Sequence, residues 1–311
     1  MASSTQDPAP KSYTSTRIGI RARANELLNL YRSQVHTIPE RAAEIVREMG
    51  VVDERVERLT GIPMRGLKAL DIGPGQQLGH MTYLATYNDA IGIDLDVNPQ
   101  GWAPGPYLRL LRTNGALRFL KTVVRKALGV DARLRREIAR ALGRADVPRP
   151  KLLQMDATAM DFADDGFDLV FSRAVFEHIG DPRMAFREVA RVLRPGGVAH
   201  INVHLYTSDS GCHDVRILGA MRGDLPYWPH LRESSKGAVI ENSFLNRVAL
   251  ADWVSMVAEE LPGAEIETEE DSNPNLRDEL ARARAAGDLA LYEDQELLTV
   301  ALNAVWTKPG G

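Results

Sequence analysis

The sequence predicts an α/β fold in which helices cover both faces of a doubly wound, mostly parallel sheet. Two observations support this prediction. First, short apolar runs alternate with segments of helical periodicity between residues 67 and 205. Second, three glycines and a proline directly follow the first apolar run, in the segment LDIGPGQQLG. A glycine-rich turn between a strand and a helix lies at the sheet edge where folds of this class bind ligands.

The predicted elements follow one another along the chain. Helical patterns cover residues 22–35 and 39–59, and Pro39 suits the first turn of the second helix. These helices would form an amino-terminal cap made of residues 17–62. The main domain would follow at 63–311. In the main domain we predict strands at 67–72, 90–94, 151–155, 167–172, 198–205, 264–270 and 297–306, and helices at 79–87, 182–193, 249–261 and 276–286. Asp181 as N-cap and Pro182 at the first helical position mark the start of the helix at 182–193.

Two segments interrupt the alternation. Residues from about 97 to 150 exceed a normal crossover, which indicates an insertion with helices near 106–128 and 132–142. Residues from about 207 to 243 lack periodicity, which is typical of a substrate loop. The insertion is basic, with Arg109, Arg112, Arg118, Lys121, Arg125, Lys126, Arg133, Arg135, Arg136, Arg140, Arg144 and Arg149 against Asp131, Glu137 and Asp146. A solvated helix face, an anionic acceptor, a membrane surface and, least favoured, a nucleic acid would each explain this charge.

Composition restricts the class of protein. The chain of 311 residues is 44% hydrophobic and 26% charged, and its net charge of −4 gives no overall attraction to nucleic acid. The single Cys212 excludes a disulfide framework within the chain. The polar amino-terminal segment resembles no signal peptide, and no apolar run approaches the roughly 20 residues of a membrane span. We expect a cytoplasmic protein without a transmembrane segment and with a disordered tail at 1–16.

The glycine spacing separates two cofactor classes. Gly73, Gly75 and Gly79 miss the G-x-G-x-x-G pattern because the third glycine is one position late, which disfavours a nicotinamide-dependent oxidoreductase. Asp94 ends the second strand about twenty residues later, where a carboxylate can accept hydrogen bonds from both hydroxyls of a ribose. A ribose-containing cofactor is therefore the better prediction.

Four segments in order resemble the class I S-adenosylmethionine-dependent methyltransferases, in particular the branch that includes the ubiquinone-biosynthesis enzymes. They are LDIGPGQQLG, IGIDLD, QMDATAMDFADDGFDLVFSRAVFEHIGDP and REVARVLRPGGVAHINV, and the resemblance covers roughly residues 67–203. The resemblance implies a Rossmann-like, seven-stranded sheet whose last strand is antiparallel. It also implies S-adenosyl-L-methionine as the cofactor and S-adenosyl-L-homocysteine as the product.

The resemblance assigns expected roles to cofactor-binding residues. Asp71 would lie near the amino acid portion of the cofactor, and Asp94 would bind its ribose. The other implied contacts are Gly73, Pro74 and Gly75 in the backbone cradle, Leu95 after the second strand, Asp156 and Ala157 at the adenine, and Ser172 and Arg173 at the methionine end. Many relatives carry a glycine where this chain has Gln77, so the path of the turn is expected to differ.

The acceptor residues are predicted from side-chain chemistry. Transfer to a hydroxyl requires a proton acceptor, for which an imidazole is well suited, and we favour His178, then His213, then His204. A divalent metal held by His and Asp is the alternative at this edge, but the sequence lacks a recognisable metal motif, so we expect none. Aromatic and basic side chains in the loop are candidates for acceptor binding: Tyr206, Tyr227, Trp228, His230 and Arg232.

The sequence thus favours an enzyme that methylates a hydroxyl of a small molecule, such as a saccharide or a secondary metabolite. Methylation of carbon or nitrogen is the alternative among enzymes, and a non-catalytic cofactor-binding or regulatory protein is the alternative of another class. The expected partner is the small-molecule acceptor, not a nucleic acid, and a homodimer is left open.

Overall fold

The computed structural model describes residues 36–219, 221–241 and 243–310. The predicted tail at 1–16 and the predicted helix at 22–35 lie outside these residues. The helices are α1 (Ile38–Thr60), α2 (Gly79–Tyr87), α3 (Pro104–Ala127), α4 (Val130–Ala141), α5 (Pro182–Val192), α6 (Val215–Leu218), α7 (Leu250–Glu260), α8 (Leu276–Ala285) and α9 (Asp294–Leu298). The strands are β1 (Lys68–Ile72), β2 (Asp89–Asp94), β3 (Lys151–Gln154), β4 (Phe167–Arg173), β5 (Leu193–His204), β6 (Glu265–Glu270) and β7 (Thr299–Thr307).

The seven strands form one mixed sheet in the order β3-β2-β1-β4-β5-β7-β6. β1 is parallel to both β2 and β4, and β2 is parallel to β3. β7 is antiparallel to β5: the amide of Gly196 donates to the carbonyl of Lys308, whereas the amide of Leu205 donates to that of Val300. The predicted doubly wound sheet with an antiparallel last strand is confirmed.

The chain divides into two units, each with its own core. The described residues of the first unit are 36–173, 187–201 and 305–310, and those of the second are 174–186 and 202–304. In the first unit, β1, β4 and β5 bury Ala69, Leu169, Phe171 and Val198, α1 buries Ala42 and Met49, and α4 buries Leu134 and Ile138. In the second unit, Trp228 is buried with Leu276 and Leu280 of α8 and with Leu297 of α9.

Element boundaries differ from the prediction mainly at β5. This strand begins at Leu193, five residues before the predicted start, and therefore includes the glycine pair 196–197. Gly196 donates to Lys308, and Lys308 donates back to Gly197 at 2.9 Å, so the pairing with β7 holds this segment extended. Within the described helices, none combines the length and the apolarity that crossing a membrane requires.

Candidate functional site

Asp71 occupies the middle of the sheet in the first unit. β1 pairs on both sides, which places Asp71 between Gly92 of β2 and Phe171 of β4. The side chain is 1% exposed, and among the described residues its Oδ2 has no hydrogen-bond partner. Burial, together with the nearby Asp94, raises the pKa of the Asp71 carboxyl well above its usual value. A buried carboxylate oxygen without a donor is costly, and a cationic group or hydroxyl of a ligand would satisfy it.

The glycine turn after β1 requires glycine at two positions for conformational reasons. Gly73 and Gly75 have φ values of 71° and 69°, in the left-handed region that residues with a Cβ rarely adopt. Nothing lies within 4 Å of the position of a Cβ at Gly75, so space remains beside the main chain there. Pro74 between them is half-buried. The main chain of the turn is thus open to close approach at Gly75.

Gly79 has a different role from the first two glycines. It begins α2, and a Cβ at this position would lie 2.5 Å from Cδ1 of Ile45 in α1. The third glycine of the segment therefore permits close packing of two helices.

The carboxyl end of β2 supplies the second acidic residue. Asp94 is 8% exposed, and its Oδ1 accepts the amide of Asp96 at 2.9 Å. Burial raises the pKa of the Asp94 carboxyl to about 6. The carbonyl of the following Leu95 accepts a hydrogen bond from Gln154 at 3.1 Å, which fixes the chain just beyond the strand.

The remaining predicted cofactor residues follow β3 and β4. Asp156 is exposed and its Oδ1 accepts hydrogen bonds from the amide and hydroxyl of Thr158, next to the half-buried Ala157. The hydroxyl of Ser172 is buried and donates to the carbonyl of Ile72 at 3.0 Å. This bond joins β1 and β4 at their carboxyl ends.

Arg173 ends β4 and forms an ion pair with Glu48 of α1 at 3.0 Å. Glu48 also contacts His80 of α2 at 2.9 Å. Glu48 carries no special sequence signal, because it lies on a helix with many acidic residues.

The structure also adds residues that hold the glycine turn. The Nδ2 of Asn98 donates to the carbonyls of Gly75 and Gln76 at 3.3 and 3.2 Å. Arg125 of α3 is 4% exposed, and its guanidinium reaches Asn98 and Gln76 at 3.4 Å each. A polar residue after a strand and an arginine in a basic helix carry no special sequence signal, and both were therefore missed as supports.

Part of the basic insertion is internal. Arg118 forms an ion pair with the buried Asp96 at 2.7 Å. Arg125 and Lys126 both contact Asp131, at 3.0 and 2.6 Å. The side chains of all three cations are less than one fifth exposed. The idea that the whole basic segment is one solvated face is therefore wrong: these cations fasten the insertion to its own carboxylates and to Asp96.

In the second unit, three imidazoles form a cluster composed of His178, His204 and His213. The ring centroids of His178 and His213 are 4.8 Å apart, and so are those of His204 and His213. Nε2 of His213 lies 3.1 Å from Nδ1 of His204, whose Nε2 lies 2.9 Å from Oγ of Ser210. The three predicted catalytic histidines are thus brought together.

The orientation of His178 is fixed by the main chain. Its Nδ1 lies 2.7 Å from the carbonyl oxygen of Phe244, which can only accept a hydrogen bond. Nδ1 therefore carries the proton, and in the neutral ring Nε2 is the unprotonated nitrogen. Burial lowers the pKa of the His178 imidazole, so the neutral form prevails at pH 7. Asn246 supports the turn Phe176–His178 by donating to the carbonyls of Phe176 and Ile179.

His213 has a different environment. Its φ of 54° is uncommon for a residue with a side chain, and such strain is often concentrated at functional sites. Burial, followed by the neighbouring His204 and His178, lowers the pKa of His213 to about 3. A ring with so low a pKa is a weaker proton acceptor than His178.

Ligand atoms of Glu177, His178 and His213 lie within 4.8 Å of one another. Glu177 is 1% exposed. Two imidazoles and a carboxylate are a chemically suitable set for a divalent cation, with the Phe244 carbonyl as the outer partner of His178. The geometry therefore keeps the metal alternative of the sequence analysis open.

The predicted acceptor-binding residues lie in the second unit, but they differ in accessibility. Tyr206 and Tyr227 are half-buried, and the guanidinium of Arg222 lies 4.2 Å above the Tyr227 ring. His230 is 8% exposed and donates from Nε2 to the carbonyl of Tyr206 at 2.7 Å. Arg232 lies 3.6 Å from Asp288.

Trp228 requires a correction. Its side chain is fully buried, and its indole Nε1 donates to the carbonyl of Leu297 at 3.1 Å. Its amide donates to Asp209 at 2.7 Å. An aromatic residue in an irregular loop suggested an acceptor contact, but here the indole anchors the loop to α8 and α9 by apolar packing.

Known proteins resemble this chain over parts of its length. Residues 112–201 match the family described as "Methyltransferase domain". An uncharacterized methyltransferase of Mycolicibacterium vanbaalenii is 27% identical over 204 residues, which is 65% of each chain. A ubiquinone/menaquinone biosynthesis C-methyltransferase of Bdellovibrio bacteriovorus is 28% identical over 103 residues, or 30% of this chain and 44% of that protein. The matches thus span less than two thirds of these relatives.

Among solved structures, a phosphoethanolamine N-methyltransferase of Haemonchus contortus in complex with S-adenosyl-L-methionine is 18% identical, with a TM-score of 0.44, and covers 83% of this chain and 52% of its own. The family match and the related methyltransferase sequences agree with the four ordered segments and the observed sheet. These matches identify residues 112–201 as part of a methyltransferase domain, similar to those of the class I S-adenosylmethionine-dependent enzymes.

Proposed function

We propose that the protein transfers the methyl group of S-adenosylmethionine to a hydroxyl oxygen of a small molecule. The orientation of His178, which presents the lone pair of Nε2 as a proton acceptor, is the observation that carries the choice of oxygen. Relatives include enzymes named as C- and N-methyltransferases, so both remain the alternatives.

The first unit contains groups that suit the cofactor. The buried Oδ2 of Asp71 lacks a donor among the described residues, and the main chain at Gly75 is open to close approach. Asp94 would accept hydrogen bonds from the ribose hydroxyls through a carboxylate that the strand end holds in place. When bound, the cofactor supplies a methyl group that its sulfonium already activates. The chain must then align the acceptor and remove its proton.

His178 is the proposed general base. A neutral hydroxyl is a poor nucleophile, and transfer of its proton to a neutral imidazole during methylation strengthens it. The Phe244 carbonyl holds the ring in one tautomer and would stabilise the imidazolium that forms. His213 and His204 form a hydrogen-bonded pair of imidazoles, and they are second and third in order as bases.

Cofactor affinity should depend on pH through Asp94. Because the pKa of this carboxyl is about 6, the carboxylate predominates at pH 7 and the acid at pH 5. The acid is the poorer acceptor for ribose hydroxyls, so the Kd of S-adenosylhomocysteine should rise roughly tenfold from pH 7.5 to pH 5. Calorimetry at several pH values measures this rise. In the Asp94→Asn variant this rise of the Kd at low pH should largely disappear. An unchanged rise in the variant would show that protonation of another group causes it.

Removal of metal distinguishes the base from the metal alternative. If His178 acts as a base, extensive dialysis against EDTA should leave kcat unchanged, and added Zn²⁺ or Mg²⁺ should not increase it. If Glu177, His178 and His213 instead hold a required cation, the dialysed protein should be inactive and recover with metal. Metal content measured by mass spectrometry before and after dialysis is the control.

A screen of sugars, phenols and amines for release of S-adenosylhomocysteine tests the proposed acceptor class. Turnover of hydroxyl compounds supports the proposal, and turnover of amines alone rejects it. If the protein binds the cofactor but no compound with a hydroxyl, amino or acidic C–H group turns over, the non-catalytic alternative gains support.

A further inference from the structure

A cavity of about 260 Å³ lies in the first unit, between α2, the insertion helices and the segment that leads to β3. The polar and charged residues in its lining are Gln77, Thr82, Gln100, Lys126, Asp131, Arg135 and Arg149, with Trp102 as its exposed aromatic residue. None of the residues that we assign to the cofactor lines this cavity. The methyl-transfer proposal therefore leaves it unexplained.

The charge in the cavity is positive. Lys126, Arg135 and Arg149 face a single lining carboxylate, that of Asp131. Asp131 is already in contact with Arg125 and Lys126, at 3.0 and 2.6 Å. Within the described part of the chain, Arg135 and Arg149 form no ion pair with a carboxylate. Two guanidinium groups in the cavity wall thus remain for an anion.

Arg135 shows a specific need for an acceptor. Its side chain is half-buried, and its Nε is buried without a hydrogen-bond partner among the described residues. A guanidinium has a planar set of donors that matches the oxygens of a phosphate, and an incoming phosphate oxygen would satisfy the buried donor. Arg149 is exposed and can approach the same anion from solvent.

Trp102 adds an apolar surface to these charges. Its side chain is 64% exposed, and its ring stacks on Tyr107 with centroids 5.9 Å apart and planes 10° apart. The Tyr107 hydroxyl donates to the carbonyl of Gly101 at 2.9 Å, which holds this aromatic pair in place. An exposed indole next to guanidinium groups suits a ligand with both a ring and an anionic group.

We propose that this cavity binds a small organic phosphate ester. Arg135 and Arg149 bind its phosphate, and Trp102 contacts the ring that carries it. The site goes beyond the proposed methyl transfer, and it gives a role to Arg135 and Arg149, two arginines of the insertion that pair with neither Asp96 nor Asp131.

Calorimetry with glucose 1-phosphate tests the site in the full-length protein. The double variant Arg135→Gln/Arg149→Gln should bind at least tenfold more weakly than the wild type. The matched control is Arg133→Gln/Arg136→Gln, which removes the same charge from exposed positions that do not line the cavity, and it should bind like the wild type. Trp102→Ala should weaken glucose 1-phosphate but not inorganic phosphate.

Other outcomes overturn the proposal. They are the absence of glucose 1-phosphate binding in the wild type, and an equal loss in both double variants, which would indicate only diffuse charge. Vesicles containing phosphatidylglycerol form a separate arm: binding to vesicles without binding to glucose 1-phosphate would assign the charge to a lipid surface. Thermal unfolding and S-adenosylhomocysteine affinity monitor folding. If the double variant unfolds, Arg149→Gln alone, at an exposed position, should still weaken binding at least threefold.

Discussion

His178→Ala is expected to lower kcat for methyl transfer to an aliphatic hydroxyl by about 10² to 10⁴, the usual contribution of general base catalysis. The imidazole is held by the Phe244 carbonyl so that Nε2 can accept a proton, and alanine removes that acceptor. The Kd of S-adenosylhomocysteine should change little, because the groups assigned to the cofactor are separate residues. Steady-state kinetics and calorimetry measure the two quantities.

The acidity of the acceptor sharpens this test. A phenol of low pKa is already ionised and needs less help from a base, so the loss in His178→Ala should be much smaller for it than for an aliphatic alcohol. Added imidazole should restore part of the activity. His36→Gln, which changes an exposed imidazole, is the control and should retain wild-type kcat. If His178→Ala lowered kcat equally for every acceptor and added imidazole restored no activity, His178 would have only a packing role.

Asp94→Asn is expected to weaken S-adenosylhomocysteine binding at least tenfold, or about 1.4 kcal/mol. The amide keeps the shape of the side chain but loses the charge, and hydrogen bonds to charged groups contribute more than those to neutral ones. Asp89→Asn is the matched control, because Asp89 begins the same strand and is exposed beside Lys151. It should bind like the wild type.

Equal affinity of Asp94→Asn and wild type would remove Asp94 from the cofactor site. Equal weakening in Asp89→Asn would show that a change in β2 itself, not the lost carboxylate, causes the effect. Thermal unfolding of both variants separates a local change of affinity from a general loss of stability.

Local patterns were sufficient to predict the sheet and its edge. The apolar run ahead of Gly73 is a strand, and the left-handed φ values of Gly73 and Gly75 agree with a turn that only glycine forms easily. Asp71 and Asp94 lie within or at the end of parallel strands, and their burial follows from the position of β1 and β2 inside the sheet. These features depend on residues close together in the sequence.

Features that depend on distant residues were not predicted. The burial of Trp228 requires α8 and α9, which begin at Leu276 and Asp294, far along the sequence from the tryptophan. The ion pairs of Arg118 and Arg125 require carboxylates whose positions are set by the fold of the insertion, and a count of charges cannot reveal them. The three histidines were identified as candidates, but the contacts of His213 with His178 and His204 arise from tertiary packing.

The methyl group is expected to go to an oxygen atom of the acceptor. Incubation of the full-length protein with S-adenosylmethionine labelled with ¹³C in its methyl group, followed by NMR of the product, identifies the atom that receives the label. We predict a new O-methyl signal from a hydroxyl compound, which is strongly reduced with His178→Ala and, at a cofactor concentration below saturation, also reduced with Asp94→Asn. A label on nitrogen or carbon, or no transferred label despite cofactor binding, would contradict the account.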